Sequence, residues 1–420
     1  MSIHVAGIIG LVVVFLIGTL RPINLGALSL VMMFTIGTIY GESVQDMYRG
    51  FPVDLFVLLA GVTYLFGVAS NNGTLDRIVE AAARVAGDRR ALIPWAVFIV
   101  AALPTIPGAL TATSVALLAP ISLRLARRYD IDPRMIALMV AHGAMCGNFS
   151  PLNLVGAVVH QALASNGLQI SSATLFLANL AYNVGLGVII YVVFGGLRFT
   201  RREPEHPVSN GQVDATVKQL PAGPRVAHVW TLLAIVGVAA AALAFRLNIG
   251  FLAFGAAAML QLVFPKSSGD ADKKIAWGVV LLVCGVVTYV AALQRYGTID
   301  VVGDSIAAMR PAIVAGLLIC VVGAITSAVS STIGILGALT PIAVPLIARG
   351  EISTTGLIIA LSISATVVDS TPFSTAGALA VASADDDERP RIYRGLLLWG
   401  AAMVVTAPLV TWLIFIVAAG

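Results

Sequence analysis

Long apolar runs alternate with short polar breaks along the whole chain. A membrane-crossing helix needs about 20 mostly apolar residues, and such runs lie near 4–20, 23–41, 52–72, 132–160, 172–197, 228–245, 247–264, 275–294, 353–382 and 392–418. Two further apolar stretches, 91–123 and 311–348, behave differently. Asp88, Arg89 and Arg90 precede the first, and Arg124, Arg127 and Arg128 follow it, so both its ends lie in basic sequence. Each has a helix-breaking middle: Pro104, Pro107 and Gly108 in one, Gly334 and Gly337 in the other. The pattern predicts two re-entrant hairpins, which survive at membrane depth only where the non-helical tip is covered by protein or faces a water-filled cavity.

Composition agrees with lipid as the solvent. Of 420 residues 59% are hydrophobic and 11% charged, with a mean hydropathy of +0.96, whereas soluble domains carry roughly 25% charged residues. A soluble enzyme, a disordered chain and a nucleic-acid binder are excluded, although the isoelectric point is near 9.1. Cys146, Cys284 and Cys320 all fall in apolar stretches and are expected to be small packing residues. The basic residues divide unevenly. One side collects Arg21, the 77–90 segment, 124–134, 198–225, Lys266, Lys273, Lys274 and 389–394, which is 20 of the 25. The positive-inside rule makes that side cytoplasmic and both termini periplasmic. Residues 4–20 lack a basic n-region and a clear cleavage site, so they form the first span rather than a signal peptide. The Pro-containing stretch 198–227 is a cytoplasmic linker between 1–197 and 228–420.

These halves repeat one another. Val57 to Asp76 aligns with Leu281 to Asp300 at an offset of 224, placing Gly61 on Gly285 and Gly73, Thr74 and Asp76 on Gly297, Thr298 and Asp300. An offset of 221 then carries Thr111 onto Thr332, Pro120 onto Pro341, Pro151 onto Pro372 and Gly156 onto Gly377. Each half holds five spans plus a hairpin. Five is odd, so the second half enters from the opposite face and is inverted, which is a transporter architecture. After Gly73 and Gly297 the chain turns amphipathic, which suits either interfacial arm helices or a plain surface face.

The expected chemistry lies mid-span. In 143–156 (GAMCGNFSPLNLVG) and 364–377 (SATVVDSTPFSTAG) a proline sits among polar residues, so both helices are expected to break, near Ser150 and Thr371. Carbonyls freed at such breaks coordinate Na+, and the half-helix N-termini beyond them favour an anion. Asn148, Ser150 and Asn153 correspond to Asp369, Thr371 and Ser374. The hairpin tips offer Thr111, Thr113 and Ser114 in one half and Ser330, Ser331 and Thr332 in the other. The competing expectation is that these side chains satisfy the kinked backbone, as Ser and Thr do in many membrane helices. Asp369 stands apart because a charge at mid-membrane depth costs at least about 2.5 kcal/mol; it suits a Na+ counter-charge or a proton carrier. His142, two turns before Ser150, suits a carboxylate donor, a proton shuttle or a packing histidine. Asp385 to Glu388 is expected to be a solvated charge run.

A twice-repeated hairpin and broken helix resembles the ion transporter superfamily that includes the divalent-anion sodium symporters, and residues 1 to about 195 resemble the MatC-type dicarboxylate (malonate) carriers. Members carry a Ser-Asn-Thr triplet at each hairpin tip, implying contacts to sodium and substrate carboxylates. The second tip keeps a close form, Ser330, Ser331 and Thr332, whereas the first has Ala109, Leu110 and Thr111; a Pro-Asn element is kept as Pro151 and Asn153. Asp369 replaces a neutral residue of the pattern.

The expectation is therefore an all-α polytopic membrane protein of the bacterial inner membrane, not an enzyme. It has two inverted repeats: 1–197 with hairpin 91–123 and broken helix 132–160, and 228–420 with hairpin 311–348 and broken helix 353–382. The resemblance implies an elevator-type homodimer performing Na+-coupled symport of a small dicarboxylate, malonate or a C4 acid. The substrate would meet Thr111, Asn153, Ser330, Ser331, Thr332, Ser374 and His142, and the cation Thr113, Asn148, Ser150, Asp369 and Thr371. Proton coupling through Asp369 and His142, or cation/proton exchange, is the alternative.

Overall fold

The computed structural model describes residues 2–21, 23–74, 77, 90–196, 225–245, 247–299, 301, 311–328, 332–348 and 350–418. The amphipathic segments after Gly73 and Gly297, most of the 198–227 linker, and Ser330 and Ser331 lie outside these residues. The described chain is helical, and five of its helical stretches are long and apolar enough to cross a membrane: Val53–Asn71, Ser172–Val193, Pro265–Arg295, Thr354–Ala382 and Arg389–Val417. It is a multi-pass membrane protein.

Its helices are α1 (Ile3–Leu20), α2 (Leu25–Ile39), α3 (Val44–Tyr48), α4 (Val53–Asn71), α5 (Ile93–Thr105), α6 (Thr111–Arg128), α7 (Pro133–Met145), α8 (Leu154–Ala164) and α9 (Ser172–Val193). There follow α10 (Arg225–Phe245), α11 (Ile249–Val263), α12 (Pro265–Ser268), α13 (Trp277–Arg295), α14 (Ala312–Ser327), α15 (Thr332–Ala348), α16 (Thr354–Val367), α17 (Thr375–Ala382) and α18 (Arg389–Trp412). Caps fix where many of them begin. Asn24 accepts from the first-turn amides of α2 and Asn248 does so for α11. Asp132 and Ser353 cap α7 and α16, and Asn153 and Ser374 cap α8 and α17. The partners of each pair stand 224, 221 and 221 residues apart, the same offsets that align the two halves of the sequence. At 13 residues α5 is about 20 Å long, too short for a hydrocarbon layer of about 30 Å.

The helices fall into two packed groups. One contains α1, α2, α4, α10, α11 and α13; the other contains α5–α9 and α14–α18. Glycines let the first group close. A Cβ on Gly61 of α4 would lie 2.2 Å from the Gly250 carbonyl oxygen of α11, and one on Gly285 of α13 would lie 2.1 Å from that of Gly26 on α2. Gly61 and Gly285, like Gly26 and Gly250, are 224 residues apart, so each half lends a helix to the same crossing in the other. Removing the side chains lets the backbones touch, the means by which membrane helices associate without a hydrophobic drive. Where α4 and α13 end, Gly73 (φ +76°) and Gly297 (φ +71°) take the left-handed conformation that other residues resist. The threonine after each is held by a histidine from the opposite half, His228 Nδ1 at 3.2 Å from Thr74 Oγ1 and His4 Nδ1 at 3.2 Å from Thr298 Oγ1. His4 and His228 are again 224 apart.

The second group also interleaves the halves. Helix α17 packs on α6, and α15 on α8, so each hairpin meets the half-helix beyond the break of the other half. At one rim Arg127 pairs with Asp385 (2.6 Å), Asp387 (2.5 Å) and Glu388 (3.0 Å). Hydrogen bonding to Glu388 and then Asp387 raises the Arg127 pKa further. Asp132 joins Arg134 at 2.7 Å and Arg391 at 2.9 Å. The acidic run 385–388 is thus an exposed ionic tie between the halves as well as a solvated surface.

Substituting Val for Gly61 should lower the unfolding midpoint in detergent by several degrees, since overpacking costs about 1–3 kcal/mol. Gly237→Ala, where nothing lies within 4 Å of the added carbon, should not. Equal midpoints by thermal size-exclusion would contradict the crossing.

Candidate functional site

Each hairpin's first helix ends in a carbonyl that the helix cannot satisfy. The chain past each break supplies the donor. Ser150 Oγ donates to the carbonyl of Ile106, the C-cap of α5. Thr371 Oγ1 donates to the carbonyl of Ala328, the C-cap of α14, at 2.6 Å. Asn153 adds two bonds to the first tip, from Nδ2 to the carbonyls of Thr105 (2.8 Å) and Ala109 (3.3 Å), while its Oδ1 accepts from Val155 N. The tip can lie this close because Gly108 adopts φ +123°; a side chain there would meet the Leu152 carbonyl at 2.9 Å. Gly143 and Gly147 bring α7 equally close to α5, where a Cβ on either would strike Phe98 O at 2.2 Å or Thr105 Oγ1 at 2.3 Å.

The non-helical stretch between α7 and α8 contains Pro151, and that between the 3-10 turn Val368–Ser370 and α17 contains Pro372. Thr111 Oγ1 donates to Asn148 Oδ1 at 2.5 Å, joining the first tip to the first break. The second half departs from this pattern. Thr332 Oγ1 meets Ser327 Oγ at 2.8 Å, and Ser327 donates to the Ala365 carbonyl at 2.7 Å, so that tip is tied to α16 rather than to Asp369. Ser374 Oγ donates to the carbonyls of Asp369 and, at 2.7 Å, Thr371. The half-buried Asp369 carboxylate faces the Ser374 hydroxyl and the Ala376 amide in the first turn of α17. The carboxyl group thereby faces a helix N-terminus, where the macrodipole favours a negative charge. Thr113 is half-buried on α6, and Ser330 and Ser331 lie outside the described residues.

His142 is fully buried and both its ring nitrogens have partners: Nδ1 lies 3.0 Å from Asn183 Oδ1, and Nε2 accepts from Trp399 Nε1 at 2.9 Å. An indole N–H can only donate, so Nε2 is unprotonated and the ring is neutral. The packing role matches this geometry better than substrate donation or proton shuttling. Asn179, Asn183, Trp399 and Ser327 did not stand out in the sequence. A usable signal was present, because Asn179 and Asn183 are two amides one turn apart in an otherwise apolar span. Among the described residues no Lys or Arg is buried, and no cluster of three His, Cys, Asp or Glu side chains suits a metal ion.

Residues 1–148 match the family model of the dicarboxylate carrier protein MatC N-terminus. The MatC likeness read from the residues is shown over that stretch. No curated protein matches the chain. Among solved structures the fold is similar to that of the YdaH transporter of Alcanivorax borkumensis, at 16% identity and a TM-score of 0.58 over 87% of this chain and 86% of that one. The chain thus pairs a MatC-type N-terminus with a fold similar to that of a solved transporter.

Replacing Asn153 by Ala should cost about 1–3 kcal/mol, because it removes a cap and leaves tip carbonyls without a donor. Ser at this position restores the cap but not the reach to the tip. Partial recovery of thermal stability in Asn153→Ser is the expected result, and full recovery would show that the tip bonds contribute nothing.

Proposed function

We propose that this protein is a secondary active transporter that carries a small dicarboxylate, malonate or a C4 acid, together with Na+. The observation that carries the reading is the pair of oxygen-rich helix breaks in a body with no buried Lys or Arg among the described residues. The hydroxyls of Ser150, Thr371 and Ser374 give their protons to backbone carbonyls and each accepts one backbone amide, that of Leu152, Ser374 and Gly377 respectively, so one lone pair on each oxygen remains for a cation. Asp369 supplies charge beside them. Neutral donors and co-bound cations must then hold the substrate dianion, for which Thr111 and the first tip are the candidates in the first half and Thr332, Ser330 and Ser331 in the second. Moving one negative charge inward against 100 mV costs about 2.3 kcal/mol. Accumulating a dianion therefore requires at least two co-transported cations, and a third makes uptake favourable in the field.

The movement we propose is an elevator, in which α5–α9 and α14–α18 slide against the first group, held by a partner copy. The facing surfaces support this. Val286, Val287 and Val290 of α13 face Gly337 and Ala338 of α15, and Leu154 and Val158 of α8 join the apolar cluster of α4. The one side-chain hydrogen bond between the groups found among the described residues runs from Gln294 Nε2 to Asn166 Oδ1, at 3.0 Å. It borders a cavity of about 340 Å³ lined in part by Arg49, Gln161 and Arg295. The MatC match and the basic-residue split support a bacterial inner-membrane location with both termini periplasmic.

Uptake of labelled malonate, succinate and citrate into proteoliposomes under imposed Na+ or pH gradients selects substrate and ion together. Asp369→Asn should reduce Na+-driven uptake at least about 10-fold, in line with the loss of a charged ligand. Unchanged Na+ dependence removes Asp369 from the coupling site, and uptake driven by pH alone establishes the proton alternative. Gln294→Ala removes a bond of about 0.5–1.5 kcal/mol and should change the substrate exchange rate roughly 2- to 10-fold. An unaltered exchange rate would argue against sliding at this surface.

A further inference from the structure

A single directed chain of hydrogen bonds crosses the second group from α18 to the first break. Trp399 on α18 donates from Nε1 to His142 Nε2 at 2.9 Å. His142 Nδ1 then donates to Asn183 Oδ1 at 3.0 Å. Asn183 Nδ2 donates to Asn179 Oδ1 and to the Asn179 carbonyl, each at 3.0 Å. Asn179 Nδ2 ends the chain on the carbonyls of Met145 (2.9 Å) and Cys146 (3.2 Å), where α7 stops. His142, Asn179 and Asn183 are wholly buried, so no water competes for these bonds. The indole sets the direction of every link, because it has a proton to give and no lone pair to offer. The carbonyls at the far end lie two and three residues before Asn148.

The other half meets the same need differently. The position 221 residues beyond Asn179 is Gly400, where an added Cβ would lie 2.3 Å from Thr371 Cγ2. There the outer helix approaches the break directly, with no amide between. The first break is held by polar reach and the second by close backbone contact, so substitutions in the chain address the first alone.

We propose that Trp399, His142, Asn183 and Asn179 are positioning residues for the ion site of the first half: they hold the Met145 and Cys146 carbonyls and thereby the turn that presents Asn148. The proposal rests on the ion-coupled transport reading. It makes α18, which belongs to the second half, a determinant of cation binding in the first. Residues that fix the orientation of metal ligands typically change affinity about 10- to 100-fold when removed.

Two measurements on the full-length protein test it. In detergent, with 15N-labelled tryptophan, the indole signal lost in Trp399→Phe identifies Trp399 among the five tryptophans. Asn179→Ala is three bonds removed from that indole and should still shift its signal, while Ser165→Ala should not. In proteoliposomes, Asn179→Ala and the milder Trp399→Phe should each raise the half-saturating Na+ concentration about 10-fold with a smaller change in maximal rate. An unmoved indole signal in folded Asn179→Ala breaks the chain. Unchanged half-saturation in both variants overturns the positioning role even where the signal moves. A wild type with no cation dependence defeats the transport reading and the ion-site assignment with it, and the indole shift, still present, tells that failure from the absence of the chain.

Discussion

No backbone carbonyl or amide can be left without a partner where water is scarce. Two helices of this protein break in mid-course and two others stop short, so the structure depends on how those ends are satisfied. Ser150 and Thr371 answer the carbonyls at the ends of α5 and α14. Asn153 and Ser374 cap the helices that resume, and Asn179 serves the end of α7. A cation would meet the same oxygens. The break hydroxyls have spent their protons and one lone pair on the backbone and keep the other lone pair, so fold and ion affinity draw on one set of groups.

The halves use this constraint unequally. The first break is neutral: Asn148 accepts from the tip threonine, and a chain of amides, imidazole and indole braces it from α18. The second carries Asp369 against the N-terminus of α17 and lets α18 approach through Gly400. Two halves with the same side chains at their breaks would bind alike. Among the break residues the acidic side chain lies in the second half alone, so a cation there would meet a carboxyl group and one in the first half only neutral oxygens.

The membrane class and the helical spans were legible in the sequence because lipid imposes long apolar runs and tolerates little charge. The offsets of 224 and 221 were legible too, and they relate the helix caps, the glycine crossings and the two histidine–threonine contacts. The prolines and polar residues at 143–156 and 364–377 marked where helix geometry fails. The use made of each hydroxyl was not legible, since Ile106 and Ala328 become its partners only once the hairpins pack on the broken helices. Asn179 and Asn183 escaped notice because their span has no proline to draw attention to it. His142 has the same side chain whether it shuttles protons or accepts from an indole, and only Trp399, 257 residues away, distinguishes the two.

We propose that oxygens at the two breaks bind the cations that carry a dianion across. Simultaneous counting of 22Na+ and labelled malonate entering proteoliposomes tests it most directly, with an inside-negative potential and no pH gradient. Na+ should accumulate with the dicarboxylate, in a ratio of at least two to one. Dicarboxylate uptake that follows an imposed proton gradient, with no Na+ entering alongside it, would contradict the account.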